Sequence, residues 1–331
     1  MITDHPKINF GKTGVLLINL GTPDSTKWLD IRKYLKEFLS DRRVIEVNPF
    51  IWKIILNLFI LNLRPSKTAK AYKEIWMEKE DMSPLRYYTI MQTKKLLDRI
   101  GHKDLIVDYA MRYGNPSIKS KINKLQEAGC ERLVVLPLYP QYAAATTATV
   151  CDEVYRSLME MRWQPSLQII PHYESEPIYI KAIVNSIKLK ISELDWKPDL
   201  IIASYHGIPQ KYFDKGDPYQ CYCQKTSRLM IDKFKEIGIK TTFQSRFGPQ
   251  KWLTPYTDKT LEELPKKGVK NLLVICPGFA SDCVETLEEI NIQGRESFLA
   301  NGGKNFDLIP CLNDNNEHID LFEHIIRKHL L

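Results

Sequence analysis

The sequence predicts an α/β protein with two domains of similar build, each a four-stranded parallel sheet flanked by helices. Its 331 residues, 44% of them hydrophobic, are enough for two cores. Short apolar runs that end at Gly or Pro alternate with segments of helical spacing along the chain. Two strand ends also recur, since GVLLINLGTP resembles LIIASYHGIP and VVLPLYP resembles VICPGFA. Together these observations indicate a duplicated, Rossmann-like fold.

The first domain is predicted over residues 1–172. Its four strands are the apolar runs 15–20, 105–110, 133–136 and 167–170. Asp24 or Ser25 is expected to cap a helix that extends to about residue 39. Asn115 is expected to cap, and Pro116 to begin, a second helix that ends near Gly129.

The second domain is predicted over residues 173–331, with the boundary near residues 171–177. Its strands are the runs 200–203, 241–244, 272–275 and 306–309, and its last helix covers about 316–330. The repeated strand ends differ in spacing, because Pro209 follows Pro23 at a longer interval than Pro277 follows Pro137. The first domain therefore carries an insertion between its first and third strands, which we place at about 47–86.

The insertion begins with a mostly apolar stretch at 47–63, VNPFIWKIILNLFILNL. Lys53, Asn57 and Asn62 interrupt it, and it is too short and too polar to cross a bilayer. A helix that is apolar on most sides needs cover, so a core helix is one interpretation. Because the duplicated core does not need the insertion, we favour an apolar lip at a pocket mouth that contacts a membrane surface.

His206 is the first candidate for chemistry. It follows the apolar run 200–203, directly before a Gly/Pro turn. Ligands of open α/β sheets bind beyond the carboxyl ends of the strands, and histidine exchanges a proton near neutral pH. A core histidine bonded to the backbone is the alternative interpretation.

Three acidic residues follow the end of another predicted strand. Asp282, Glu285 and Glu289 have the spacing i, i+3 and i+7, which places them on one face of an α-helix capped by Ser281 or Asp282. A solvated acidic face is the ordinary interpretation of such a run. Together with His206, the same row could bind a divalent metal, remove protons, or do both.

The composition of the chain limits the ligands, the compartment and the enzyme classes that fit it. The net charge of +7 suits an acidic ligand or an anionic membrane surface and is too diffuse to indicate nucleic acid binding. The seven cysteines are an odd number and mostly far apart, which favours a reducing compartment over a disulfide framework. Residues 1–10 lack the layout of a signal peptide, so we expect a cytoplasmic protein. The absence of G-x-G-x-x-G argues against a nucleotide-dependent transferase.

Several segments, in order along nearly the whole chain, resemble those of the ferrochelatases. They are LINLGTPDS, SPLRYYT, MRYGNPS, LPLYPQYA, SYHGIPQKYFDKGDPY, FQSRFGPQKWLTPYTD and CPGFASDCVETLEEI. The resemblance implies a lyase that inserts ferrous iron into protoporphyrin IX, the last step of protoheme synthesis, with release of two protons. It also implies the duplicated chelatase fold, with the terminal helix packed on the first domain.

The resemblance assigns roles to residues of the matched segments. His206 and Glu285 are the implied metal-binding, catalytic pair, and Glu289 and Asp282 belong to an acidic row that relays protons or metal. Gln293 stands where some relatives have a further carboxylate, which shortens that row. The implied porphyrin contacts are Arg112, which could pair with a propionate, together with Tyr113, Leu20, Tyr142 and Pro277.

The resemblance also bears on cofactors and partners. Some relatives bind an iron–sulfur cluster, but Ala144 follows PQYA without a cysteine, and none follows Cys311. We therefore expect no cluster, no tightly bound cofactor, and Fe²⁺ as a substrate. The expected partners are protoporphyrin IX and, through the 47–63 lip, the inner membrane. A heme-carrier module, a coproporphyrin chelatase, and a chelatase for cobalt or nickel remain alternatives.

Overall fold

The computed structural model of the protein describes residues 10–330. Residues 1–9, which make up most of the segment in which no signal peptide is predicted, lie outside the described residues, as does Leu331.

The first sheet contains the four strands predicted for the first domain. They are β1 (Lys12–Thr22), β2 (Leu105–Gly114), β3 (Cys130–Pro137) and β4 (Ser166–Ile169), all parallel and in the order β2-β1-β3-β4. The strands β1, β2 and β3 are longer than the apolar runs because pairing continues into the polar residues at their ends. This extension makes Arg112 and Tyr113 part of β2.

The second sheet has the same strand order, which confirms the duplicated fold. Its strands are β5 (Leu200–His206), β6 (Ile239–Gln244), β7 (Asn271–Ile275) and β8 (Asn305–Ile309), in the order β6-β5-β7-β8. β5 and β7 are the central strands, so their carboxyl ends lie side by side. This edge carries His206 and the segment before the acidic row.

Helices cover both sheets. Those of the first half are α1 (Trp28–Leu39), α2 (Pro49–Ile55), α3 (Leu61–Ile75), α4 (Pro84–Ile100), α5 (Ile118–Glu127) and α6 (Thr149–Met159). Those that follow are α7 (Pro177–Glu193), α8 (Gln210–Asp214), α9 (Tyr219–Ile231), α10 (Thr257–Glu263), α11 (Arg295–Ala300) and α12 (Asn316–Arg327). Three π-helical segments are Leu56–Ile60, Ala144–Ala148 and Val284–Gly294, and Leu264–Lys267 is a 3₁₀ turn.

Two helix starts differ from the predicted caps. α1 begins at Trp28, because Asp24 pairs with Arg86 at 2.7 Å and Ser25 donates to a side chain inside the helix. The cap of α5 is Ser117, which accepts the N–H of Ser120. Asn115 instead donates its amide to Asp24 at 2.8 Å, so it is not a cap.

The two halves share one continuous core. A single cluster of buried side chains extends from Val15 and Leu17 of β1, through α7 and α12, to Ile201 and Leu273 of the second sheet. α12 lies against both α7 and α4, and Lys95 pairs with Asp314 at 2.6 Å. The domain boundary near residues 171–177 stays a prediction.

The insertion forms α2, a π-helical turn and α3. Leu56, Leu61 and Tyr72 are buried, and α3 packs on α1 and on the π-helix Val284–Gly294 of the second half. The outer face is apolar and exposed, with exposed fractions of 74% for Phe50, 62% for Leu58 and 74% for Leu63. The insertion is therefore buried on one side and exposed on the other, and its role as a lip stays a prediction. No helix among residues 10–330 has both the length and the apolar content needed to cross a membrane.

Candidate active site

His206 is the last residue of β5, at the carboxyl edge of the second sheet. Its Nδ1 lies 2.6 Å from the carbonyl oxygen of Gly207. A carbonyl only accepts hydrogen bonds, so Nδ1 carries the proton in the neutral ring and Nε2 keeps its lone pair. His206 is half-buried rather than enclosed in the core. The backbone bond therefore orients the ring and leaves one basic nitrogen for chemistry.

Glu285 and Glu289 lie on the π-helix Val284–Gly294. Hydrogen bonds in a π-helix join residues five apart, so its turn is wider than that of an α-helix and residues four apart share a face. Burial raises the pKa of the Glu289 carboxyl. Bonds from Ser245 and the charge of His206 oppose this shift, and the charge of Glu285 adds to it. The charges of His206 and Glu285 thus both act on Glu289, although no three His, Cys, Asp or Glu side chains among residues 10–330 are arranged to hold a metal ion.

Glu289 is held by the residues that end β6. One oxygen accepts the backbone N–H of Ser245 at 2.8 Å, and the other accepts the Ser245 hydroxyl. The Gln244 amide lies 3.4 Å from the same carboxylate. Ser245 has φ of +64°, a left-handed backbone uncommon outside glycine, and this conformation aims both of its donors at one side chain.

Asp282 does not share the helical face predicted for it. The π-helix begins at Val284 and is capped by the extended residue Cys283, so Asp282 lies outside the helix and the predicted α-helical spacing is wrong. Its buried carboxylate accepts bonds from Asn313 at 2.6 Å and Thr286 at 3.1 Å. Asp282 thereby anchors the start of the helix, and its role in a relay stays a prediction.

Three buried tyrosines of the first half lie within range of the charge of Glu285, and we call them the tyrosine wall. Burial raises the pKa of Tyr34, Tyr72 and Tyr139, and the negative charge of Glu285 adds to each shift. These side chains come from α1, α3 and the loop after β3. Residue spacing could not identify the set, because its members meet only when distant segments fold together. Tyr139 lies in the matched segment LPLYPQYA, whereas Tyr34 and Tyr72 lie in none of the matched segments.

Arg64 of α3 is a cation near the same carboxylate. Burial lowers its pKa, and the charge of Glu285 opposes that shift. Its guanidinium carbon lies 4.8 Å from the ring centre of Phe247, in the loop after β6. The contact joins the insertion to the second half of the chain. Arg64 belongs to none of the matched segments.

The predicted porphyrin contacts Arg112 and Tyr113 lie at the end of β2. The guanidinium of Arg112 pairs with Asp41, donates to the carbonyl of Thr149 at 2.8 Å, and lies over the Tyr113 ring. The Tyr113 hydroxyl donates to Asp41 at 3.0 Å. Arg112 is therefore already neutralised by the half-buried carboxylate of Asp41, and its pairing with a propionate stays a prediction.

The remaining predicted contacts lie in different surroundings. Leu20 packs against a small cluster that contains Cys283, directly before the π-helix. The buried carbonyl of Pro277 accepts the hydroxyl of Tyr179. Tyr142 is half-buried, and its pKa is raised by burial and by Asp217. Their contact with a porphyrin stays a prediction.

The family model for ferrochelatase matches residues 12–330. The chain belongs to the ferrochelatase family. A ferrochelatase from Rhizobium meliloti (strain 1021) is 54% identical over 331 residues, which is 99% of this chain and 98% of the relative. A ferrochelatase from Francisella tularensis subsp. tularensis is 50% identical over 327 residues, 97% of both chains. Membership confirms the predicted class, a metal-chelatase lyase of heme biosynthesis.

Solved chelatases have the same fold as this ferrochelatase-family chain. SirB from Bacillus subtilis with Fe³⁺ aligns with a TM-score of 0.59 at 12% identity, covering 96% of this chain and 95% of SirB. CbiX, the terminal enzyme of siroheme biosynthesis in denitrifying bacteria, aligns with a TM-score of 0.52 at 10% identity, covering 96% and 100%. At these identities the likeness establishes the duplicated chelatase fold alone, as predicted.

Proposed function

We propose that this chain inserts Fe²⁺ into protoporphyrin IX, with His206 and Glu285 at the reacting centre. One observation supports the assignment of these residues. Nδ1 of His206 is bonded to a carbonyl, which leaves the Nε2 lone pair free, and the charges of His206 and Glu285 both act on Glu289. The charge of Glu285 also acts on the tyrosine wall of the other half, and tyrosine rings offer apolar faces of the kind that pack against flat aromatic rings.

The chemistry of insertion explains the need for these groups. A porphyrin must lose two pyrrole protons before its four nitrogens can bind a divalent ion. We infer that Nε2 of His206 accepts a pyrrole proton, since the negative charge of Glu289 stabilises the imidazolium that forms. Glu285 supplies the carboxylate that meets Fe²⁺ or receives the second proton. His206 cannot bind the metal and a proton at once, because both use the same lone pair.

The propionates of the substrate need a cation at the cleft. Asp41 already neutralises Arg112, whereas Arg64 packs against the ring of Phe247 within range of the charge of Glu285. We therefore propose that Arg64 is the better placed partner for a propionate. Arginine binds carboxylates through paired N–H donors, which orients the macrocycle as well as attracting it.

We also propose that the exposed lip brings the protein to a membrane surface from the cytoplasm. Phe50, Ile51, Leu58, Phe59 and Leu63 all lie within residues 47–63 and are all more than half exposed. Exposed apolar surface of this kind is typical of interaction sites, and a porphyrin is itself sparingly soluble in water.

The predicted absence of an iron–sulfur cluster also belongs to this proposal. Analysis of iron and acid-labile sulfide in the purified protein would check it.

Zinc insertion into protoporphyrin IX, followed by fluorescence, tests the function. We expect multiple turnovers per chain, because a chelatase releases its product. A heme carrier would bind the porphyrin and produce no zinc porphyrin above the uncatalysed rate. Parallel assays with coproporphyrin, and with Co²⁺ or Ni²⁺, separate the remaining alternatives. A higher kcat/KM for coproporphyrin than for protoporphyrin IX would contradict the proposed substrate.

A further inference from the structure

Four buried polar side chains form a connected ladder beneath the carboxylates, and the proposed chemistry does not use them. They are Ser204 of β5, Thr242 and Gln244 of β6, and Thr257 of α10, which are 0%, 0%, 3% and 1% exposed. We call this set the buried ladder. Burying polar groups costs free energy unless they are hydrogen-bonded. A buried, hydrogen-bonded polar set of this kind therefore indicates a structural or functional role.

The amide of Gln244 has a single consistent orientation. Its nitrogen donates to the backbone carbonyl of Glu285 at 2.8 Å and lies 3.4 Å from the Glu289 carboxylate. Both groups only accept hydrogen bonds, so the nitrogen must face the π-helix. The amide oxygen then faces inward, where it accepts the hydroxyl of Ser204 at 2.7 Å and lies 3.8 Å from the Cys276 sulfur.

Ser204 also contacts the rest of the buried ladder. Ser204 has one hydroxyl proton, and the amide oxygen of Gln244 uses it. Its oxygen lies 2.9 Å from the hydroxyl oxygen of Thr257. Thr257 also has one hydroxyl proton, and it donates that proton to the hydroxyl of Thr242 on the neighbouring strand at 2.8 Å. The donated bonds therefore run from Ser204 to Gln244 and from Thr257 to Thr242, and such bonds are strong in a low dielectric.

The buried ladder lies between His206 and the π-helix that carries Glu285 and Glu289. Gln244 is paired in register with His206 on the adjacent strand, and its amide reaches the π-helix that carries both carboxylates. We propose that Gln244, held by Ser204, is a positioning residue for metal insertion. It sets the separation between His206 and the carboxylates of the π-helix. This inference rests on the proposed function.

Removing one hydroxyl of the ladder tests the inference. In Ser204→Ala the amide oxygen of Gln244 loses its strongest donor, so the amide can rotate away from the π-helix. We expect kcat for zinc insertion to fall about tenfold with porphyrin KM within about twofold, because misplaced reacting groups slow chemistry more than binding. Ser204→Thr keeps the hydroxyl and should recover most of the lost kcat.

A matched control separates positioning from general loss of stability. Thr260→Val removes a buried hydroxyl from the same helix as Thr257, but that hydroxyl bonds only to the carbonyl of Tyr256. We expect Thr260→Val to keep wild-type kcat although its Tm falls. If Ser204→Ala does not fold, Gln244→Asn takes its place. It keeps the amide but shortens its reach, and the same selective loss of kcat is expected.

The outcomes distinguish this inference from the proposed function. Equal kcat in Ser204→Ala and Thr260→Val would overturn the positioning role, as would a kcat loss that follows Tm in all variants. A rise in KM with unchanged kcat would also overturn it, because the ladder would then act on substrate binding. A wild-type chain with no insertion of any metal would instead overturn the proposed function, and the inference with it.

Discussion

At the scale of single residues, the surroundings of a side chain distinguish it from others of the same type. Glu285, Glu288 and Glu289 all lie on the π-helix, yet their surroundings differ. Glu289 is bonded to Ser245, Glu285 faces the tyrosine wall, and Glu288 accepts a bond from the exposed side chain of Gln293. Position on the helix, rather than residue type, therefore decides the surroundings of each carboxylate.

Glu285→Gln should lose turnover while the folded protein still binds porphyrin. The substitution keeps the shape of the side chain and removes its charge and its capacity to accept a proton. We expect kcat to fall by about 10²-fold or more, in line with the loss of a general acid–base group. Absorbance titration with porphyrin should give a binding constant near that of the wild type. Glu288→Gln is the matched control, and equal activity of the two variants would remove Glu285 from the mechanism.

Glu289→Gln should be more stable and less active at neutral pH. Burial raises the pKa of this carboxyl, so the folded chain binds more protons than the unfolded chain between the two pKa values. Stability therefore falls as pH rises through that interval, and the neutral amide removes this loss. We expect a Tm a few degrees higher at pH 7, a difference that shrinks below about pH 4, and about tenfold lower turnover. A Tm below that of the wild type at both pH values would contradict the raised pKa of Glu289.

At the scale of elements, strands were predictable and helix types were not. Each strand is an apolar run bounded by Gly, Pro or polar residues, a local signal that needs no tertiary information. The π-helix Val284–Gly294 has the same composition as an α-helix, so residue spacing could not identify it or exclude Asp282 from its face. The cap at Ser117 depends on Asn115 bonding to Asp24, a contact between distant segments.

The insertion gives a prediction at this scale. A triple substitution, Phe50→Ser, Leu58→Ser and Phe59→Ser, changes side chains that are 74%, 62% and 57% exposed. We expect Tm to change little, since these groups are already in water, while cosedimentation with anionic phospholipid vesicles falls severalfold. The control is Met159→Ser with Leu189→Ser, two exposed apolar residues elsewhere. Unchanged vesicle binding would contradict the membrane role, and an unfolded triple variant would favour the core-helix interpretation.

At the scale of the whole molecule, the two duplicated halves form the scaffold, and the residues of the proposed site lie where the halves differ. Both sheets have the same strand order, and the recurring Gly and Pro at strand ends made this predictable from sequence. The positions of His206, at the end of β5, and of Glu285, after β7, were also predictable, because each follows an apolar run of the second sheet. The tyrosine wall was not. Tyr72 and Arg64 lie on α3 of the insertion, which packs on the π-helix that carries Glu285, and Tyr34 lies on α1, which packs on α3.

Anaerobic insertion of Fe²⁺ into protoporphyrin IX, with protoheme and released protons measured together, tests the central claim most directly. The wild-type chain should form protoheme over many turnovers and release two protons for each heme. His206→Ala should lose both signals by about 10²-fold or more and still bind the porphyrin, whereas His102→Ala, at an exposed histidine, should behave as wild type. Near wild-type insertion by His206→Ala, or porphyrin binding without heme formation by the wild-type chain, would contradict the account.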